Sequence, residues 1–471
     1  MITFLKRRLL IIITVFAVFS LLFNFLISIS INRIQNYIQP IVDDSTESFE
    51  TDPNFIQCPD YSKDYQINFD NKFWQVLETS DGTIKMFNSY YDSRKILGNE
   101  TIIRIISMIN RIDPSIKTYC QFYFEGSNKQ VFSEVFEYLM MWNEGWQLNE
   151  NGYTPYLLSC KNPVAHIPTS VSLVEKPCEV PTNNLKIIFN EPENGLKKSF
   201  AVCGKDMIFK EDKSLQLIEW IEILSILGVD KIFFYVVEIP PQMMKVLKYY
   251  ESKGRVGIEF ISDVTLPSNQ NKSEIQRIQN LMVSLNDCFL KHVNEYNIIS
   301  ALDTDEMIFP TDDNDKTWHE IISRKQKNDD LPPAYVFDNL FFLTDSIRGN
   351  ETQAEVPEEF FFLQHVFRAQ NFSRKGAGSK SFFNTEKVLV IHNHFPMICF
   401  DRGVPSYACR FQYMPTEFGR LQHYKTGCGG GYNNEECENF KHNVVKDLLL
   451  WKYKDEIIDN TFDVTAMINN N

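Results

Sequence analysis

Basic residues are in short supply: Lys and Arg number 47 against 61 Asp and Glu, for a formal net charge of -14. A nucleic-acid binder needs basic surface to neutralise phosphates, so the composition argues against nucleic acid as a partner. Small anions are not excluded, because a bound divalent cation can supply positive charge locally. No Cys-x-x-Cys pair occurs among the ten cysteines, which disfavours a zinc cage. Charged residues make up 23% of the chain, an ordinary share that argues against wholesale disorder, and 44% apolar content is enough to bury a large core.

What is present begins at the N-terminus. Leu9 to Ile31 is an apolar run of 23 residues interrupted only by Asn24 and a few hydroxyls. As a helix it measures roughly 34 Å, against about 30 Å of bilayer hydrocarbon. It exceeds the roughly 7–15 residues of a signal-peptide core and has no small-x-small cleavage site. Lys6, Arg7 and Arg8 precede it and only Arg33 follows closely. The positive-inside rule therefore predicts a cytosolic tail at 1–8, a transmembrane signal-anchor at 9–31 in contact with the lipid bilayer, and a lumenal remainder. All ten cysteines lie beyond the anchor, an even count that predicts disulfides in an oxidising compartment. Cys428 with Cys437 and the neighbourhood of Cys399 and Cys409 are plausible places. Four glycosylation sequons, at Asn99, Asn271, Asn350 and Asn371, fall on the same side.

Residues 32–60 read as a polar stem and 61–190 as a β-rich lead-in domain. Strands are expected in that domain at Ile102 to Ile106, at Gln121 to Phe124 and around Trp142 and Trp146. From Phe200 the pattern becomes β-α-β-α-β-α-β. The expected strands are Phe200 to Gly204, Lys231 to Val237, Val256 to Ile261 and Ile298 to Leu302. Between them lie a helix stopped by Gly228, one opened by Pro241, and a long one over Glu274 to Glu295. Alternation of this kind implies a mainly parallel sheet, whose ligands bind outside the carboxyl ends of its strands. The catalytic domain is placed at 195–440, with later strands at Ala334 to Leu343 and Lys387 to Ile391. A C-terminal helix near Val444 to Tyr453 and a tail occupy 441–471.

The fourth strand runs into Asp303-Thr304-Asp305-Glu306. Residues two apart on a strand face one side, so Asp303 and Asp305 are expected to converge on a metal at the strand's exit. Oxygen ligands suit Mn²⁺ or another divalent cation bridging to a diphosphate. A second Asp-x-Asp, Asp313-Asn314-Asp315, lies in a polar loop and reads as a solvated turn.

The ordered set of segments resembles glycosyltransferase family 92. It comprises Cys203 to Val236, including Leu217-Ile218-Glu219-Trp220-Ile221-Glu222, then Asn286-Asp287-Cys288, Leu302 to Glu306, Val390-Ile391-His392-Asn393-His394 and Gln422-His423-Tyr424-Lys425. Lys425 departs from the Arg expected after His-Tyr. The resemblance implies an α/β fold of the type A glycosyltransferases, with a Rossmann-like nucleotide-sugar-binding sheet behind a single Golgi-membrane anchor. It also implies a UDP-sugar donor and inverting transfer of a hexose, galactose from UDP-galactose in characterised relatives, to a glycan or glycoprotein acceptor such as a fucosylated N-glycan. Carried over by position, Asp303 and Asp305 hold metal and donor, His392 or His394 adds a metal ligand, with His423 the weaker choice, and Asp287 helps bind the donor. Glu306, Glu358 and Glu359 are candidates for the base that accepts the acceptor's proton. Two other readings compete. An aspartyl-phosphate-forming phosphatase also uses Asp-x-Asp, but on the first strand and with Thr or Val where Met307 stands. A lumenal glycan-binding protein on the same fold has no need of paired metal carboxylates.

Overall fold

The computed structural model describes residues 73–126, 131–143, 145–146, 152–262, 274–326, 330–429 and 431–469. All lie in the unit spanning 56–471. The expected membrane span, the stem, Cys58 and Asn271 lie outside the described residues. Among the described residues no helix is long and apolar enough to cross a membrane.

The first eight strands are β1 (Gln75–Glu78), β2 (Thr83–Asp92), β3 (Ile102–Ile109), β4 (Tyr119–Tyr123), β5 (Val131–Met140), β6 (Thr154–Lys161), β7 (Ser170–Val174) and β8 (Leu185–Ile188). They pair in the order β1-β2-β3-β6-β5-β4-β7-β8, and β8 returns to pair with β2 at Ser89 and Tyr90. The sheet therefore closes into a barrel, which removes open strand edges. Every residue of β3 is buried. Its run reads Ile-Ile-Arg-Ile-Ile-Ser-Met-Ile because both faces are covered, which suppresses the alternation of a half-exposed strand. Trp142 and Trp146, expected in a strand, instead follow β5 in bends and turns. Cys120–Cys160 ties β4 to β6.

The next elements are β9 (Lys198–Gly204), β10 (Met207–Ile208), α1 (Ser214–Ile226), β11 (Lys231–Glu238), α2 (Pro241–Ser252), β12 (Val256–Phe260), α3 (Glu274–His292) and β13 (Tyr296–Leu302). Strands β12, β11, β9 and β13 are parallel and adjacent in that order. Gly228 ends α1 at φ 91°, a left-handed conformation that favours glycine, and Val229 N–H closes the turn onto Leu224 C=O at 3.0 Å.

Beyond β13 come β14 (Glu306–Pro310), α4 (Trp318–Lys325), β15 (Ala334–Phe337), β16 (Asn339–Leu343), β17 (Phe367–Ala369), β18 (Lys380–Asn384), β19 (Val388–Ile391), β20 (Pro396–Asp401), β21 (Val404–Ser406), β22 (Gln412–Tyr413), β23 (Gly419–Lys425), α5 (Asn434–His442), β24 (Val444–Lys446) and α6 (Lys454–Asn469). Antiparallel β18 extends the parallel sheet beyond β13, and β14-β23-β16 form a second, small sheet. Of the helix expected near Val444 to Tyr453, Leu449–Tyr453 forms a short 3-10 helix that leads into α6, and the residues before it are not helical. Val444 and Val445, both β-branched, pair instead with β17.

Side chains alternate along β9 and β11. Phe200, Val202, Ile232, Phe234 and Val236 enter the core shared with α1, α2 and α6. Cys203, Phe233 and Tyr235 face α3: Cys203 is disulfide-bonded to Cys288, Phe233 stacks on His292, and Tyr235 donates to Asp287. Helix α3 also packs on β2, β3 and β6 of the barrel. Covered on both sides, it buries polar residues such as Gln279, Ser284, Asn286 and Asp287 as well as its apolar stripe. Cys399–Cys409 and Cys428–Cys437 are bonded, and no described cysteine is free. Asn99, Asn350 and Asn371 are exposed.

Candidate active site

Strand register assembles the site. Leu302, the last residue of β13, lies opposite Gly204, the last of β9. Ser300 lies opposite Phe382 on β18, and two residues further along that antiparallel register Lys380 falls beside Leu302. Lys205, Asp303 and Lys380 therefore meet at one edge, although 98 and 77 residues of chain separate the lysines from the aspartate. The chain winds away in opposite directions from β9 and β13, so this is the switch point where open α/β sheets bind ligands.

Asp303 to Asp305 form a tight turn and do not extend the strand. Glu306 N–H donates to Asp303 C=O at 3.1 Å, and Asp303 N–H donates to Glu306 Oε2 at 3.1 Å. Tyr424 N–H holds Asp305 C=O at 2.8 Å, and the indole N–H of Trp220 holds Glu306 C=O at 2.7 Å. The chain at Asp303 to Asp305 is a turn where a strand exit was expected, and it gives the two aspartates different side-chain partners. Asp303 lies 2.9 Å from Lys205 Nζ and 3.3 Å from Lys380 Nζ. Asp305 Oδ2 lies 3.7 Å from His423 Nε2, and Glu306 Oε1 lies 3.4 Å from His423 Nδ1. His423 stands there because β23 pairs with β14 with His423 opposite Glu306.

One ligand atom each from Asp305, Glu306 and His423 can be chosen within 4.8 Å of one another. His423 Nδ1 is buried with no hydrogen-bond partner among the described residues. A buried imidazole with an unpartnered Nδ1 beside Glu306, and with Asp305 on its Nε2 side, offers the mixed nitrogen and oxygen donors that suit Mn²⁺ or a similar cation, so these residues fit one. Burial opposes ionisation of Asp303, but Lys380 and Lys205 outweigh it and hold the carboxyl well below the usual range. Burial pushes the Glu306 carboxyl up, Asp303 adds to that, and Lys380 opposes it. Burial also disfavours the Lys380 ammonium, yet Asp303 and Glu306 raise its pKa.

The other expected site residues are distributed differently. His392 and His394 stand on the Lys380 side and outside the Asp305 group. Asn393 between them accepts from Lys380 Nζ at 2.7 Å. His392 stacks on Phe395 at 4.5 Å and meets Trp146 at 5.0 Å, and His394 Nδ1 lies 2.7 Å from Ser379 C=O. Burial lowers their pKa values to about 3 and about 4, with Lys380 contributing to both, so both rings are neutral near pH 7. Asp287 is fully buried on α3 with both oxygens occupied. Asn88 at 2.6 Å and the Tyr90 hydroxyl donate to one, and Lys291 at 2.8 Å and the Tyr235 hydroxyl to the other. It joins barrel to sheet and offers no free oxygen to a donor. Glu358 and Glu359 are exposed in a turn, whereas Glu306 is 2% exposed and held by Lys380 at 2.8 Å. In the second Asp-x-Asp, Asp315 is buried against Arg324 at 2.7 Å and Asp313 is exposed.

Lys205 and Lys380 were not read from the sequence. Lys380 carried one signal, a lone charge in the strand Lys-Ser-Phe-Phe-Asn with 0% exposure; Lys205 carried only its place after the Gly204 strand end. The quoted motifs also have mechanical explanations. Glu219 is fully buried and accepts the backbone N–H groups of Phe361, Phe362 and Leu363 at 2.8, 3.0 and 3.0 Å. Asn286 pairs with both backbone groups of Ile391, at 2.8 and 2.9 Å, steadying the strand before His392.

A family model described as Glycosyltransferase family 92 matches residues 198–461. No curated protein matches the chain. Among solved structures, a chain titled "Crystal Structure of a Mycobacterial Protein" aligns with 51% of this chain and 70% of its own at 12% identity. The TM-score of 0.23 is too low to support any inference from it.

Proposed function

The chain belongs to glycosyltransferase family 92, and from that premise we propose that it is a divalent-metal-dependent, inverting hexosyltransferase acting on glycans. The donor is a nucleoside-diphosphate sugar, UDP-galactose by the family resemblance, and the acceptor a glycan such as a fucosylated N-glycan. The sheet β12-β11-β9-β13 serves as the Rossmann-like donor platform of a type A fold. Exposed sequons and bonded cysteines support a lumenal location behind the anchor at 9–31, in the Golgi membrane.

The observation that carries this reading is the trio Asp305, Glu306 and His423 at the carboxyl edge of that sheet. These three would hold Mn²⁺ or a similar cation, with Asp303 beside them bound to the lysines. When bound, such a cation supplies Lewis-acid stabilisation of charge on a departing diphosphate. Trp220 and Tyr424 hold the turn in place, so the carboxylates need no rearrangement during reaction. Buried Lys380 bridges Asp303 and Glu306 and holds the two carboxyls side by side.

The test is a panel of UDP-sugars assayed for nucleotide release with detergent-solubilised full-length protein, fucosylated glycans and Mn²⁺. One UDP-hexose should be turned over, EDTA should abolish turnover, and added Mn²⁺ should restore it. Turnover that persists at full rate in EDTA would overturn the metal assignment. Failure with every nucleotide sugar would overturn the donor class.

A further inference from the structure

The two lysines on Asp303 are not equivalent. Lys380 is 0% exposed, and its ammonium meets Asp303 at 3.3 Å, Glu306 at 2.8 Å and Asn393 at 2.7 Å. An ammonium has three N–H donors, so Lys380 is fully used by the protein. Lys205 is 35% exposed, and its one side-chain partner among the described residues is Asp303 at 2.9 Å. Its base is anchored, because Lys205 N–H donates to Leu302 C=O at 3.2 Å. The charge therefore stands at a fixed root, with donor capacity to spare, at the switch point between β9 and β13.

As a stabilising pair, Lys205 with Asp303 is redundant. Lys380 already neutralises Asp303 from the buried side, and a second, partly exposed ion pair adds little to stability. A partly exposed cation with unused donors beside a metal-type trio has the features needed to bind an anion. Asp305 and Glu306 of the trio and Asp303, which Lys205 contacts, belong to the one short turn 303–306, so an anion bound at that turn can meet both the trio and Lys205. A diphosphate, with its two linked phosphoryl groups, has the length and the charge to do so.

We propose that Lys205 binds the diphosphate of the nucleotide donor and of the nucleoside diphosphate product, while Lys380 is a positioning residue that keeps Asp303 and Glu306 in place. This rests on the glycosyltransferase reading above. Lys205 exchanges part of its contact with Asp303 for phosphate oxygens. Asp303, held in place by Lys380, returns Lys205 to the same place when the site empties.

The test is calorimetric binding of UDP and of uridine, each with Mn²⁺, to full-length wild type, Lys205→Met and Lys205→Arg, with melting temperature measured on each. Lys205→Met should bind UDP about tenfold more weakly, as expected for one charge-assisted contact. It should bind uridine as wild type does and melt at an unchanged temperature. Lys205→Arg should recover most of the UDP affinity, and the wild-type advantage should shrink as salt rises. Equal UDP affinity in wild type and Lys205→Met would overturn the assignment and leave the glycosyltransferase reading intact. A parallel loss of uridine affinity and melting temperature would make Lys205 structural and overturn it too. If the wild type binds none of UDP, GDP and CDP, the donor reading fails, and this inference fails with it.

Discussion

Two groups of acids, one at the joint between barrel and sheet and one at the carboxyl edge of the sheet, use their charge differently. At the joint every carboxylate oxygen is met by protein donors. Asp287 is held by Asn88, Tyr90, Tyr235 and Lys291, and Asp92 takes two contacts of 2.8 Å from Arg94 and one of 3.3 Å from Arg104. Arg94 carries the connection on to Thr385 and Val388 beyond the sheet. At the edge the account does not close. His423 Nδ1 has no hydrogen-bond partner among the described residues, Asp305 is 34% exposed, and Lys205 has donors to spare. Unmet bonding capacity is costly in a folded protein unless a ligand uses it. The carboxylates of the first, closed cluster are thus used up by the fold, and those of the second, open one keep capacity for a ligand.

The largest effect should come from the open cluster. Asp305→Asn removes a charge and a proposed metal ligand with little change in volume, and it should lower kcat/KM about a thousandfold, roughly 4 kcal/mol of transition-state stabilisation. The melting temperature should hardly move, because Asp305 is a third exposed and forms no core contact. His423→Gln should raise the Mn²⁺ concentration needed for half-maximal rate, while His392→Gln should leave that concentration unchanged. A shift with His392→Gln and none with His423→Gln would reverse the ligand assignment drawn from the β14–β23 register.

The closed cluster should show itself in stability, with a defined pH window. Burial opposes ionisation of Asp92, but Arg94, through charge and hydrogen bonds, and Arg104 lower its pKa to about 2 from 3.8. A carboxyl depressed in the folded state contributes stability that is present above its unfolded pKa and lost as pH falls through the folded value. Between about pH 4 and pH 2 the protein should therefore lose about 2 kcal/mol through this group. Urea midpoints taken from pH 6 to pH 2 on wild type and Asp92→Asn isolate it from the other carboxylates. Asp92→Asn should be less stable at pH 6 and show a shallower fall below pH 4. Parallel curves for the two proteins would show that the joint does not depend on this charge.

The same contrast explains what could be read from the sequence. The strands at 198–204, 231–238, 256–260 and 296–302 carry near-continuous apolar runs separated by helical spacing, and local pattern suffices to find them. The aspartates at the end of the fourth run were visible for the same reason. The barrel strand Ile102–Ile109 was visible as apolar, but its closure was not, because burial on both faces erases the period of two. Lys205, Lys380 and His423 depend on which strands pair and in which register, and single-chain periodicity carries no such information. Local reasoning therefore favoured His392 and His394, which follow a predicted strand, over His423, which sits opposite Glu306 across β14 and β23. The contacts of Asp287 were hidden for a related reason: two of its donors, Asn88 and Tyr90, lie some 200 residues earlier in the chain.

The smallest effect is the one that sharpens the comparison most. Asp313-Asn314-Asp315 repeats the Asp-x-Asp pattern ten residues after the first, so any account resting on the pattern alone must treat both alike. The surroundings differ. Arg324 binds Asp312 at 2.8 Å and Asp315 at 2.7 Å, which makes the loop an ion-paired turn, and the residue facing solvent is Asp313. No described histidine joins it within metal-binding reach, and β14 separates it from the carboxyl edge of the sheet. Asp313→Asn should therefore leave kcat/KM and the Mn²⁺ requirement as in wild type. Stability should change by no more than about 0.5 kcal/mol, the usual scale for an exposed substitution. A hundredfold loss of kcat/KM in folded Asp313→Asn protein would show that the loop reaches the donor, and that strand-edge position does not distinguish the two copies.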